Sequence, residues 1–306
     1  MLGADAAAVG RQHDPLSVAV ARFIRAERER SRMRHLGLKV RMAIVSTILF
    51  AFFAFAAGVA TIVFNLPLAA VLVLAVAFAG FQYLVGTKMA LWSVGAEEMP
   101  EDEYREIHYA VEDMSKEMGI KKPRLMVAQM GVPNAFATGR KGKGTVVVST
   151  ELIRLLDQDE LEGVLAHELA HIANRDVVTM TLGQSIAAIV GIAVQWLVIA
   201  TGDNEIADFV LGWIAGMLTQ MFVMIFVLAI SRYREYVADS DAAGVVGSGE
   251  PLARALEKIQ RGAQGRESNI DDSVSALCIF GDGGGMKKLF STHPSTEERI
   301  RRLRSY

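Results

Sequence analysis

Residues 161–201 read LEGVLAHELAHIANRDVVTMTLGQSIAAIVGIAVQWLVIAT. The first part places Leu161, Leu165, Leu169 and Ile172 on one stripe of a helix, and Asp157 as N-cap with Glu160 three residues on predicts a capping box that starts it. The second part, Val177 to Thr201, holds no Asp, Glu, Lys or Arg and exceeds the roughly 20 apolar residues a bilayer-crossing helix needs. An amphipathic helix carrying two histidines therefore runs almost directly into a membrane span.

Working outward, three more charge-free stretches qualify as spans: Met42 to Phe64, Leu66 to Gly86, and Phe209 to Ile230. Asn65 and Pro67 make the first pair a tight hairpin, and a turn through Gly202-Asp203-Asn204-Glu205 joins the second. Basic residues flank the spans on one side only. Arg22 to Arg41 precede the first, Lys88 follows the second, Arg175 precedes the third, and Arg232 and Arg234 follow the fourth. The positive-inside rule then puts both termini and both polar blocks in the cytoplasm. The expected organisation is a basic cytoplasmic extension (1–41), a membrane hairpin (42–86), a first catalytic block (96–176), a second hairpin (177–230) and a second catalytic block (231–306).

Composition agrees with a multi-pass protein of the cell membrane. The chain has 306 residues, 52% hydrophobic and 22% charged, with a net charge of −2 and a mean hydropathy of +0.29. That is too oily for an ordinary soluble enzyme and far from the composition of disorder. A pI near 6.3 argues against nucleic acid as a partner, and the lone cysteine, Cys278, forms no internal disulfide. Neither hairpin carries an Asp, Glu, Lys or Arg within its spans, which argues against an ion pathway; Gln184, Gln195 and Gln220 are read as packing between helices or as contacts to a substrate helix.

In the polar blocks, Glu97, Glu98, Glu101, Asp102 and Glu103 read as a solvated linker. Ile107, Val111, Met114 and Met118 predict an amphipathic helix ending at Gly119. Pro123–Ala128, Asn134–Thr138 and Thr145–Ser149 read as strands of a small sheet. The fold class is thus mainly α with a small β-sheet (α+β), joined to four transmembrane helices in two hairpins.

His167 and His171 stand four residues apart, so one helix face offers two imidazoles to a metal. Glu168 beside them is placed to take a proton from an activated water, completing an H-E-x-x-H pattern. Asn174 and Val177 occupy the positions where a metzincin would have glycine and a third histidine, which excludes that class. A carboxylate is then the expected third ligand. Glu235 is the leading candidate, because the hairpin of spans three and four returns the chain to the end of the histidine helix; the alternative is a membrane-edge carboxylate paired with Arg232 or Arg234. Asp239, one turn on, and Asp176 are candidates to orient the ligand imidazoles.

Pro133 to Gly139, His167-Glu168-Leu169-Ala170-His171, Arg234-Glu235-Tyr236-Val237-Ala238-Asp239 and Ser291-Thr292-His293-Pro294 with Glu298-Arg299-Ile300, in that order beside four spans, resemble the HtpX family of membrane zinc metalloproteases. The resemblance covers about Met42 to Tyr306. It implies Glu235 as third zinc ligand, Glu168 as catalytic base, one zinc ion per chain and a gluzincin-like domain. It also implies quality control of membrane proteins, by hydrolysis of damaged or misfolded substrates on the cytoplasmic side. The N-terminal extension is longer than the family's, and Ser295 stands where a second proline is common.

Two supporting sites are expected. His293 either donates a hydrogen bond to the developing oxyanion or packs beside Pro294. The strand at Asn134, Ala135 and Phe136 either receives an extended substrate as an added strand or is plain sheet. Expected partners are the lipid bilayer, unfolded or damaged membrane proteins and other membrane proteases. The rival readings are a processing protease for lipid-modified peptides, similar to CAAX prenyl proteases, and a non-catalytic zinc-binding scaffold, which has no need of Glu168.

Overall fold

The structure, a computed structural model, describes residue 40, residues 42–263 and residues 294–306. It divides into residues 1–44, of which only the beginning of the first helix is described, and residues 45–306, to which everything below refers.

Four helices are long and apolar enough to cross a membrane: α1 (Met42–Val63), α2 (Leu68–Ser93), α6 (Asp176–Thr201) and α7 (Glu205–Val246). Asn65, in the left-handed region at φ 53°, and Pro67 turn the chain between the first two. Leu49, Ala56 and Val59 of α1 pack with Ala187 and Val190 of α6 and Val223 and Val227 of α7. Helices α6 and α7 approach until their backbones meet. A side chain built on Gly191 would lie 2.9 Å from the carbonyl oxygen of Gly216, and one on Gly216 2.7 Å from that of Gly191. Small residues permit such an approach between membrane helices.

Two helices outrun their apolar stretches. α2 continues past Gly86 to Ser93, and α7 does not break at Ile230 but runs on for 42 residues in all, about 63 Å at 1.5 Å per residue. The same unbroken helix thus serves as membrane anchor and carries Glu235 and Asp239 into the polar domain.

That domain holds α3 (Arg105–Glu117), α4 (Thr150–Leu155), α5 (Gln158–Ala173), α8 (Glu250–Ala263), α9 (Thr296–Leu303) and a four-stranded sheet in the order β1-β2-β4-β3. The strands are β1 (Glu97–Glu98), β2 (Arg124–Ala128), β3 (Ala135–Arg140) and β4 (Lys143–Ser149); β2 and β4 are parallel and the other pairs antiparallel. Val146, Val147 and Val148 of the central β4 are fully buried, as β-branched residues in a doubly covered strand should be. The acidic run taken from sequence as a linker contributes β1: Glu97 and Glu98 pair with Val127 and Met126 while their side chains stay exposed. Gly139 (φ 91°) and Gly142 (φ 87°) shape the β3–β4 hairpin, and a Cβ on Gly139 would collide with the Lys143 carbonyl oxygen.

Leu161, Leu165, Leu169 and Ile172 anchor α5 in the core with Val111, Leu152, Leu256 and Ile259. The Asp157 backbone N–H donates to the Glu160 carboxylate at 3.0 Å, holding the first turn. Gly163 brings α5 against α8, where a Cβ would lie 2.8 Å from the Leu252 nitrogen. Ser295 caps α9, its hydroxyl accepting from the Glu298 N–H at 3.4 Å, a service proline at that place cannot supply.

Candidate metal centre

His167 and His171, four residues apart on the largely buried α5, project from one face. The αL residue Arg175 (φ 58°) separates α5 from α6 and turns Asp176 back toward that face. Helix α7, packed along both, brings up Glu235 and Asp239. The result is a triangle of donor atoms: His167 Nε2 and His171 Nε2 lie 3.1 Å apart, Glu235 Oε2 is 3.5 Å from the first, and Oε1 is 3.4 Å from the second. One ligand atom from each of the three residues falls within 4.8 Å of the others. Tetrahedral bonds of about 2.0–2.2 Å place ligand atoms roughly 3.4 Å apart, so the edges suit a zinc-sized cation.

The outer nitrogens support that fit. His171 Nδ1 lies 2.5 Å from Asp176 Oδ2, and His167 Nδ1 3.0 Å from Asp239 Oδ1. A proton held on His171 Nδ1 by Asp176 leaves its Nε2 lone pair aimed at the common point, beside a carboxylate, and His167 Nε2 faces the same point with Arg299 Nη2 3.3 Å away. Three lone-pair donors converging this closely are a set that a divalent cation satisfies. Arg234, an alternative partner for Glu235 in the sequence reading, instead pairs with Asp176 and donates to the Asn174 carbonyl at 2.9 Å.

Glu168 sits buried next to the triangle. Burial pushes its carboxyl pKa up, opposed by the neighbouring histidines and by a hydrogen bond from the Ala137 backbone. His171 is also raised: burial works against its charged form, but Glu235 outweighs it. For His167, burial and Arg299 oppose the proton, and Asp239 and Glu235 overcome them.

Arg299 was not singled out for a role in the sequence. It is 2% exposed, donates through Nε and Nη2 to Asp239 at 3.0 and 2.7 Å, and lies 3.3 Å from Glu235 Oε2. Burial disfavours its charge, yet Asp239 and Glu235 hold its pKa above the ordinary value. A signal existed: Thr296, Arg299, Ile300 and Leu303 form the buried stripe of α9, and an arginine on such a stripe needs an acidic partner.

A cleft of about 550 Å³ opens over the triangle, lined by Glu168, Arg299, the β3 edge, the start of α6 and part of α2. Ala135 and Phe136 line it, but Asn134 does not. Its N–H donates to Ser149 Oγ at 2.9 Å and its carbonyl accepts from the Ser149 N–H at 2.8 Å, which ties it to β4. His293 lies outside the described residues.

A model of peptidase family M48 matches residues 101–306. A Protease HtpX homolog of Halobacterium salinarum is 57% identical, covering 86% of this chain and all of the relative. Another from Aquifex aeolicus is 39% identical over 76% of this chain and 83% of the relative. Among solved structures, the crystal structure of S. mikatae Ste24p superposes with a TM-score of 0.53 at 18% identity, covering 87% of this chain and 66% of that one, a likeness of fold.

Proposed function

The chain belongs to peptidase family M48 and is an HtpX-type membrane metalloprotease, and from that premise we propose that it is a zinc endopeptidase that clears damaged or misfolded membrane proteins on the cytoplasmic side. The observation that carries the mechanism is the His167–His171–Glu235 triangle with buried Glu168 at its side under the β3 edge strand.

His167, His171 and Glu235 are the ligands, and Asp239 and Asp176 hold the two imidazoles in the required tautomer. Zinc bound there supplies the Lewis acidity that makes a water nucleophilic near neutral pH and polarises the scissile carbonyl. Glu168 takes the water's proton as its oxygen attacks the carbonyl carbon. When the C–N bond breaks, the same carboxyl returns that proton to the leaving amine. A carboxyl whose pKa burial has raised is suited to both halves of this exchange. Ala135 and Phe136, at the cleft edge of β3, align an extended substrate through main-chain hydrogen bonds, which reads little of its sequence and suits the clearance of varied substrates. Lys88, Arg175 and Arg232 at one end of the spans support the cytoplasmic placement of the site.

The test compares wild type with Glu168→Gln, both in detergent at equal zinc content, on unfolded casein and on the protein itself. Cleavage by wild type alone, abolished by a chelator, is the expected result. Equal cleavage by both would remove Glu168 from the role given to it.

A further inference from the structure

The cleft does not end at the ligand triangle. Its walls continue to Met180, Thr181 and Gln184 on α6 and to Phe81, Gln82 and Val85 on α2. Gln184 lies seven residues inside the charge-free run that begins at Val177, and Gln82 six residues before Lys88. At 1.5 Å per residue both sit roughly 10 Å beyond the charged edge of their helices. A cavity that starts at the proteolytic centre therefore descends to the depth of the bilayer's apolar zone.

Two carboxamides stand at that depth. The Gln184 side chain is exposed and has no hydrogen-bond partner among the described residues. Gln82 accepts from Ser185 Oγ at 2.5 Å through its Oε1, leaving its amino group available. In an apolar medium such groups are costly unless something meets them. The natural complement is a polypeptide backbone. A transmembrane helix has all its backbone groups satisfied internally, but a protease takes its substrate extended, so the end of the helix must unwind to reach Glu168. Each unwound residue then presents an N–H and a C=O with no water to receive them. A carboxamide both donates and accepts, matching the two halves of a peptide group.

We propose that Gln184 and Gln82 are substrate-binding residues that hydrogen-bond the backbone of an unwound apolar segment leaving the bilayer. The preferred scissile bond then lies a few residues beyond the membrane end of a substrate's transmembrane segment. Phe81, Val85 and Met180 receive that segment's apolar side chains. This rests on the protease reading above.

The test uses the full-length chain in proteoliposomes with two substrates sharing one transmembrane anchor and one cleavable sequence. In the near substrate that sequence begins at the membrane face; in the far substrate a flexible Gly/Ser spacer of about 30 residues precedes it. The quantity read is the near-to-far ratio of kcat/KM. Gln184→Leu is expected to lower it about tenfold at unchanged zinc content, with Gln184→Asn recovering part of the loss. A Gln184→Leu ratio within twofold of wild type overturns the proposal.

A second measurement does not depend on activity. In a Glu168→Gln, Cys278→Ser background, Gln184→Cys is expected to form a disulfide with cysteines on the membrane side of the near substrate's scissile bond. Leu182→Cys, at an exposed position of α6 outside the cleft, is not. Equal cross-linking at both, or none at 184, also overturns it. If wild type cleaves neither substrate, the protease reading falls and this one with it; if wild type cleaves both and the ratio is indifferent to residue 184, only this one falls.

Discussion

Replacing Arg299 by methionine isolates the charge balance of the centre. The guanidinium makes two hydrogen bonds to Asp239 and faces Glu235, and all three side chains are at most 5% exposed. Methionine fills much of the same volume but leaves two carboxylates without their cation. Breaking a buried pair by removing one partner costs about 3–5 kcal/mol. A domain of about 150–250 residues shifts by roughly 2–4 °C per kcal/mol, so on that scale the metal-free melting temperature should fall by about 10 °C. Bound metal brings two positive charges to Glu235 and, through His167, partly to Asp239. With metal present the fall should therefore be about half as large. The assay is thermal unfolding in detergent at a fixed scan rate, with and without chelator. A metal-free shift below about 2 °C, or equal shifts in both states, would refute the reasoning. Arg299→Lys should recover only part of the loss, because an ammonium cannot span both Asp239 oxygens.

Three further outcomes are expected. Asp176→Asn should weaken metal binding by about 10–100-fold by loosening the His171 ring, read by competition against a chelator of known affinity. Because His167 and His171 hold their protons above the ordinary histidine range near 6.5, metal must displace both. Affinity should fall as pH drops through that raised range, by up to about 100-fold per pH unit, and level off above it; an onset of loss only below pH ~6 would contradict the shifts. Gly163→Ala gains up to about 1 kcal/mol of helix propensity but drives a methyl into the Leu252 backbone at 2.8 Å. A net loss of about 1–3 kcal/mol in chemical denaturation is therefore expected, and a stabilised variant would mean α8 can move aside.

What the sequence made legible was whatever repeats on a local period. The four charge-free runs, the helix with His167 and His171, and the return of the chain that brings Glu235 to them all follow from spacing and connectivity, and the structure has this arrangement. Arg299 was hidden because its partner Asp239 lies 60 positions away; only its place on a buried stripe betrays it. β1 was hidden because two glutamates have no strand propensity of their own and pair only because β2 offers an edge. The far ends of α2 and α7 were hidden because apolarity marks where a helix meets lipid and not where it stops. Asn134 reads with Ala135 and Phe136 as either a substrate-pairing strand or plain sheet, and its tie to Ser149 was not legible because it depends on β4.

The ligand triangle has a consequence for biogenesis. Glu235 follows His171 by 64 positions, and the stretch between them is the α6–α7 hairpin. Until that hairpin has entered the bilayer and paired, the third donor is far from the other two and no catalytic centre exists. A chain whose α6–α7 hairpin has not yet paired is therefore latent. Pairing of the membrane hairpin is itself the arming step, because it completes the set of three donors.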